Sequence, residues 1–121
     1  MTLKEELENV LAEIKNIGGI EASAIVSRDG LLIASDMKDD VHAETFAAMS
    51  AAMLGAAETA VSELRKGLTE RVIVESQHGR IIAMGAGPKA LLVVMTAPDA
   101  GLGLILVGMR KATEKIMELL K

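Results

Sequence analysis

The segment of residues 46–61, FAAMSAAMLGAAETAV, constrains the fold most, because Glu58 is its only charged residue. A membrane-spanning helix needs about 20 predominantly apolar residues. The uncharged stretch between Glu44 and Glu58 is shorter than that and is interrupted by Ser50. The first residues, MTLKEELENV, also lack the basic-then-apolar layout of a signal peptide. The sequence therefore predicts a helix of a cytoplasmic protein, with no membrane insertion.

The composition excludes several classes of function. The 121 residues are half hydrophobic and a quarter charged, which suits one folded domain over residues 1–121. A net charge of -4 argues against nucleic acid as the main partner. The absence of cysteine excludes disulfides, thiolate nucleophiles and cysteine metal sites. Phe46 is the only aromatic residue, which excludes base-stacking platforms. We expect no catalytic residue, cofactor or metal.

Periodicity and turn signals predict the order α-β-β-α-β-β-β-α. Residues 2–5 have the composition of a capping box at the start of the first helix. The sequence RDG at 28–30, between two apolar runs, predicts a hairpin turn. The central helix is expected to be capped by Asp39 or Asp40 and to end near Lys66, with a glycine just beyond.

Consecutive hairpins predict an α+β fold, in which helices pack on a five-stranded antiparallel sheet. The third strand is predicted over 69–76, with Val72 and Val74 on one face and Ile73 on the other. The segment GLGLILVGM is compatible with either strand or helix. The 3.6-residue spacing of its apolar side chains favours a last helix over residues 102–120.

The central helix is predicted to be apolar on two faces. One face collects its large side chains and is expected to pack on the sheet: Phe46, Met49, Met53, Val61 and Leu64. The opposite face has small, uncharged residues in its middle and charge near its ends: Glu44, Ala48, Ala51, Ala52, Gly55, Thr59, Ser62 and Lys66. A glycine inside a helix costs about 1 kcal/mol against alanine. This cost favours a second chain packing closely at Gly55 over the alternative that alanine only raises helix propensity on a solvated face.

The third strand allows two interpretations. If it lies at the edge of the sheet, its free backbone groups can pair with another chain. Arg71 and Glu75 then either guard the edge against such pairing, or pair with the same two residues of a second copy in an antiparallel dimer. Both interpretations stay open on sequence alone.

The order of elements, the hairpin SRDGLLIAS, the small-residue central helix and the ending LGLILVGMRKATEKI resemble the Roadblock family of dynein light-chain-like proteins. The resemblance covers essentially the whole chain. It implies a homodimer whose third strands pair edge to edge, with both central helices on one face of the joined sheet and the first and last helices on the other. It also implies that the chain binds Ras-like small GTPases, or that it serves as a scaffold for dynein or signalling complexes. Similar bacterial gliding-motility regulators accelerate GTP hydrolysis by reshaping the GTPase rather than by supplying a catalytic residue.

On this basis we predict two sets of interface residues. The dimer interface is expected to contain Ala48, Ala52, Gly55, Thr59, Arg71, Val72, Ile73, Val74 and Glu75. The GTPase surface is expected to contain Glu44, Ala51, Ser62 and Lys66. The division of the central helix between the two surfaces stays open.

Other interpretations have less support. Gly101 and Gly103 match the first two glycines of a dinucleotide fingerprint, but Leu106 stands in place of the third. Arg28, beside the hairpin turn, is either a surface residue or an arginine finger supplied in trans. The alternatives to a GTPase regulator are a structural adaptor for an unrelated partner and a small-ligand sensor.

Overall fold

The computed structural model describes residues 1–38 and 42–121 and contains the elements in the predicted order. The helices are α1 (Leu3–Lys15), α2 (Ala43–Glu63) and α3 (Leu102–Leu119). The strands are β1 (Ile20–Ser27), β2 (Leu32–Asp36), β3 (Val72–Ser76), β4 (Gly79–Ala86) and β5 (Ala90–Thr96). They form one antiparallel sheet in the order β2-β1-β5-β4-β3. The predicted α+β fold is confirmed, and the ambiguous GLGLILVGM segment is helical.

Local capping chemistry starts α1 where the sequence predicts. The Thr2 hydroxyl accepts a hydrogen bond from the Glu5 amide at 3.2 Å, and the Glu5 carboxylate accepts one from the Thr2 amide at 3.3 Å. These reciprocal bonds satisfy amides that have no partner in the first turn of a helix. The expected caps of α2, Asp39 and Asp40, lie outside the described residues.

The first hairpin turns at Gly30, which has a φ of 89°. A side chain is strained in that conformation, whereas glycine is not. Packing also favours glycine, because a Cβ at this position would lie 3.2 Å from the Cα of Ala48 in α2, a tight approach. The turn therefore lies directly against the central helix.

Two apolar layers hold the helices on opposite faces of the sheet. One face of the sheet packs on α1 and α3, and its buried residues include Ile25, Ile82, Leu92, Ile105 and Met109. The other face packs on α2, with Val26, Ala83, Leu91, Val93 and Leu54 buried. Successive residues of β4 and β5 alternate between these layers, as the pleat of a strand requires.

The contact face of α2 differs from the prediction. Its buried residues are Ala43, Ala47, Ser50 and Leu54. Met49 and Leu64, which were expected to pack on the sheet, are 65% and 70% exposed, so the prediction is wrong for both. The reason is that α2 is apolar around most of its circumference, and small residues such as alanine allow the closest approach to a sheet. A stripe of large side chains therefore does not identify the face that packs on the protein's own core.

The third strand is shorter than predicted. Its ladder with β4 begins at Val72, which pairs with Ala83, so Glu70 and Arg71 precede the strand. Glu70 instead forms an ion pair with Arg110 of α3 at 3.5 Å, so this part of the chain lies beside α3. The predicted alternation of Val72, Ile73 and Val74 within the strand is retained.

Within the described residues, no helix combines the length and the apolar composition that crossing a bilayer requires.

Candidate protein–protein interface

The outward face of α2 carries small side chains and almost no charge. Ala48, Ala52 and Thr59 are exposed, and Gly55 is half-buried. The Thr59 hydroxyl donates to the Gly55 carbonyl at 3.0 Å, so its polar group is satisfied within the helix. A Cβ at Gly55 would meet no described heavy atom within 4 Å. Packing inside the protomer therefore does not account for this glycine.

The residues predicted for the GTPase surface do not all lie on this face. Glu44, Ser62 and Lys66 are exposed as expected. Ala51 is half-buried and packs against the apolar layer beneath α2. The prediction that Ala51 faces outward is wrong, because α2 is rotated relative to the orientation that its large side chains suggested.

Sequence reasoning missed three exposed apolar residues near this surface. Met49 and Leu64 extend it along α2, and Leu68 in the following loop is 95% exposed. Large apolar side chains at helical spacing usually mark a buried face. The sequence therefore offered no signal that Met49 and Leu64 are outside.

The outer edge of β3 is open. β3 is the last strand of the sheet and pairs only with β4 among the described residues. Ile73 and Val74, on its two faces, are 36% and 38% exposed. An open edge with β-branched apolar side chains is a template for pairing with another strand. The two charged residues predicted at this edge have weak partners within the protomer: Arg71 lies 3.9 Å from Glu70, and Glu75 lies 3.8 Å from Arg80.

Arg28 connects three parts of the fold. Its Nη1 donates to Oε1 of Glu58 in α2 at 2.9 Å, and its Nη2 and Nε donate to the carbonyl of Gly87 in the β4–β5 turn at 2.9 and 3.3 Å. A Cβ at Gly85 would lie 2.7 Å from Nη2, so the glycine leaves room for the guanidinium. The side chain is 30% exposed. Arg28 therefore connects α2 to the β4–β5 turn and is not a free surface arginine.

A depression of about 430 Å³ lies beside the last turns of α2. Arg28, Glu58 and Ser62 line one side, and the loop before β3 lines the other. The Thr69 hydroxyl in that loop is buried and has no hydrogen-bond partner among the described residues. The depression adds a recess with both charged and apolar lining residues beside the outward face of α2.

The glycines before α3 do not form a dinucleotide site. β5 is antiparallel to both of its neighbours, β1 and β4. The dinucleotide fingerprint requires a parallel βαβ unit, in which the glycine turn leads from a strand into its crossover helix. Gly101 is instead the N-cap of a helix that follows a hairpin strand.

The sheet with helices on both faces, the small outward side chains of α2 and the open edge of β3 match a known family. The sequence model of the Roadblock/LC7 domain matches residues 6–96, which is more than half of the chain. The chain belongs to the Roadblock/LC7 family. An uncharacterized protein of Methanocaldococcus jannaschii, MJ1340, is 40% identical to this Roadblock chain over 110 residues, covering 91% of this chain and 96% of its own.

Solved Roadblock structures confirm the fold. The gliding protein MglB from Thermus thermophilus has a TM-score of 0.88 at 20% identity, covering 98% of this chain and 91% of its own. Myxococcus xanthus MglB has a TM-score of 0.87 at 16% identity, covering 96% and 88%. A Roadblock/LC7 domain from Streptomyces avermitilis has a TM-score of 0.86 at 17% identity, covering 99% and 98%. At these identities the likeness shows the Roadblock fold alone.

Proposed function

We propose that this Roadblock chain is a non-enzymatic homodimeric regulator or scaffold that binds a cytoplasmic Ras-like small GTPase. One observation carries the proposal. The middle of α2 is exposed and uncharged, and none of the described residues pairs with the outer edge of β3. Monomeric proteins rarely leave such surfaces in water. Two interfaces of different kinds account for both.

The first interface is the dimer. β3 pairs with β3 of a second copy, so that Arg71 and Glu75 complement the same residues of that copy. The two α2 helices then lie antiparallel, with Ala48, Ala52, Gly55 and Thr59 as candidate contacts. Antiparallel packing places the basic Arg65 and Lys66 of one copy near the acidic start of α2 in the other. Obligate dimers of this type often bury about 2,000 Å² or more.

The second interface is a platform for the GTPase. Two copies of α2 form one surface across the two-fold axis. A single globular GTPase over the axis contacts both copies and blocks a second, so one GTPase binds per dimer. Small side chains allow close approach in the middle, while Glu44, Ser62 and Lys66 provide polar contacts at the rim.

The regulator acts on the GTPase's own switch loops. Arg28 is held by Glu58 and Gly87 and is not available for transfer to a partner's site. Arg71 lines a depression together with residues of α3, on the face of the sheet opposite α2. Neither arginine is placed to enter a nucleotide site that faces α2.

Ser62→Arg is expected to weaken GTPase binding at least about tenfold without changing the mass of the dimer. Ser62 is exposed and lines the recess beside the platform, so a long cation there obstructs the partner. The measurement is calorimetry with small GTPases of the same organism, loaded with GDP or with a GTP analogue. Wild type should saturate at one GTPase per dimer. Asn9→Arg on the exposed side of α1 is the matched control and should bind normally.

Saturation at two GTPases per dimer would contradict the shared platform. A dimer that binds no GTPase in either nucleotide state would instead support a structural adaptor.

A further inference from the structure

One face of β3 is left uncovered by the helices of its own protomer. On the face that carries α1 and α3, α1 packs mainly on β1 and β2, and α3 packs mainly on β4 and β5. Ile73 and Glu75 of β3 point to this face, and both are exposed. The helical layer therefore stops one strand short of the edge of the sheet.

The flank of α3 that borders this uncovered strip is partly apolar. Leu106 is half-buried and Val107 is 55% exposed. Together with Arg71, Arg110 and other α3 residues they line a depression of about 470 Å³. We call the strip and this flank of α3 the α3 trough.

In the proposed dimer the two half-troughs join across the two-fold axis. Neighbouring strands are about 4.8 Å apart. The two-fold axis runs between the two β3 strands, so α3, which packs over β4 and β5, lies roughly 10 Å from that axis. The two α3 helices are then about 20 Å apart. Packed helices lie 8–10 Å apart, so this gap holds one additional helix, in contact with both walls and with the sheet below it.

The side chains that line the trough determine what kind of helix surface can bind there. Its floor carries Ile73 and Glu75 from each copy and its walls carry Leu106 and Val107, so an apolar stripe fits over Ile73 and between the walls. Arg71, Arg110 and Lys111 line the depression with Glu114. The adjoining strands add Glu75 and Arg80, which lie 3.8 Å apart, and Glu70 pairs with Arg110 at 3.5 Å. Each protomer therefore brings four cations and three carboxylates to the trough. Lys111 is exposed and forms no ion pair among the described residues, so it retains capacity for a carboxylate of the incoming helix.

We propose that the α3 trough binds one amphipathic helix of a partner protein, with an apolar stripe flanked by acidic residues. The proposal rests on the proposed dimer, because a single protomer supplies only one wall. The trough lies on the opposite side of the sheet from α2. The dimer therefore holds a GTPase on one face and a helical partner on the other.

A designed peptide tests this proposal. The probe is a fluorescein-labelled amphipathic helix with leucines on one stripe and glutamates on both flanks, and its control replaces each glutamate by lysine. Fluorescence anisotropy with the full chain should show saturable binding of the acidic peptide at one per dimer, at least about tenfold tighter than the basic peptide. Val107→Glu should lower the affinity at least about tenfold. Leu104→Glu is the matched control, because Leu104 is 71% exposed on α3 but does not line the depression.

Light scattering on the same samples separates the possible failures. The trough proposal is contradicted, and the dimer is not, if the dimer binds both peptides equally or binds two peptides. The same holds if Val107→Glu does not change the affinity for the acidic peptide. A monomer would overturn both. A tetramer that Val107→Glu splits into dimers, and that the acidic peptide also splits, would show that a second dimer occupies the trough instead of a partner helix.

Discussion

Ala52→Glu is expected to split the dimer, so that light scattering returns the 12.7 kDa of one chain instead of twice that mass. Ala52 is exposed in the middle of the outward face of α2, where the proposed seam brings two helices together. A carboxylate there loses its hydration on association and finds no cation among the small residues around it. The two-fold axis doubles the effect. We expect the dissociation constant to rise at least about 100-fold, which corresponds to about 2.7 kcal/mol.

The control for this prediction is the same substitution at Ala12, which is exposed on α1. Ala12→Glu should remain a dimer, and circular dichroism should show both variants folded. If Ala52→Glu keeps the mass of a dimer at micromolar concentration, then α2 does not form the dimer seam. The proposed GTPase platform, which needs two adjacent α2 helices, is then contradicted as well.

Arg28→Ala is expected to lower the free energy of unfolding by about 2 kcal/mol, or about 8 °C in Tm for a chain of this size. The substitution removes an ion pair to Glu58 and the two hydrogen bonds to the carbonyl of Gly87. Both acceptors are part-buried, so their lost bonds are only partly replaced by water. Thermal unfolding at one fixed protein concentration measures the change, because dimer formation makes Tm concentration-dependent.

Arg110→Ala is the matched control for stability, since Arg110 is 61% exposed and its ion pair with Glu70 lies at the surface. Such pairs contribute about 0–1 kcal/mol. Below its own Tm, Arg28→Ala should stimulate GTP hydrolysis within a few-fold of wild type, and so should Arg71→Ala. A loss of about 10³-fold at either position is the signature of an arginine finger and would show that the chain contributes chemistry.

The parts of the fold that sequence predicted are those set by local rules. The capping box at Thr2 and the turn at Gly30 each depend on residues within a few positions of one another. The choice of helix for α3 depended on a 3.6-residue period, which the backbone of an isolated segment already determines. Consecutive short hairpins then left few topologies open.

The missed features depend on contacts between residues far apart in the chain. Arg28 bonds residues 30 and 59 positions away, and nothing near it in sequence indicates either partner. The rotation of α2, which buries part of Ala51 and exposes Met49, is decided by which face fits the sheet most closely. A helix that is apolar on nearly every side does not encode that choice in its periodicity. The start of β3 at Val72 likewise depends on where its ladder with β4 begins, opposite Ala83.

The position of β3 has a consequence for how its two proposed ligands influence each other. The strand contributes Val72 to the layer of α2 and Ile73 to the trough, and in the proposed dimer both binding surfaces are complete only when two chains have joined. Any ligand that binds the dimer but not the monomer shifts the association equilibrium by mass action. Near the dissociation constant of the dimer, a GTPase and a helical partner therefore each raise the other's apparent affinity, by an equal factor and without any change in protomer shape. Well above that concentration the coupling vanishes, so the abundance of the chain itself sets whether the two partners bind cooperatively or independently.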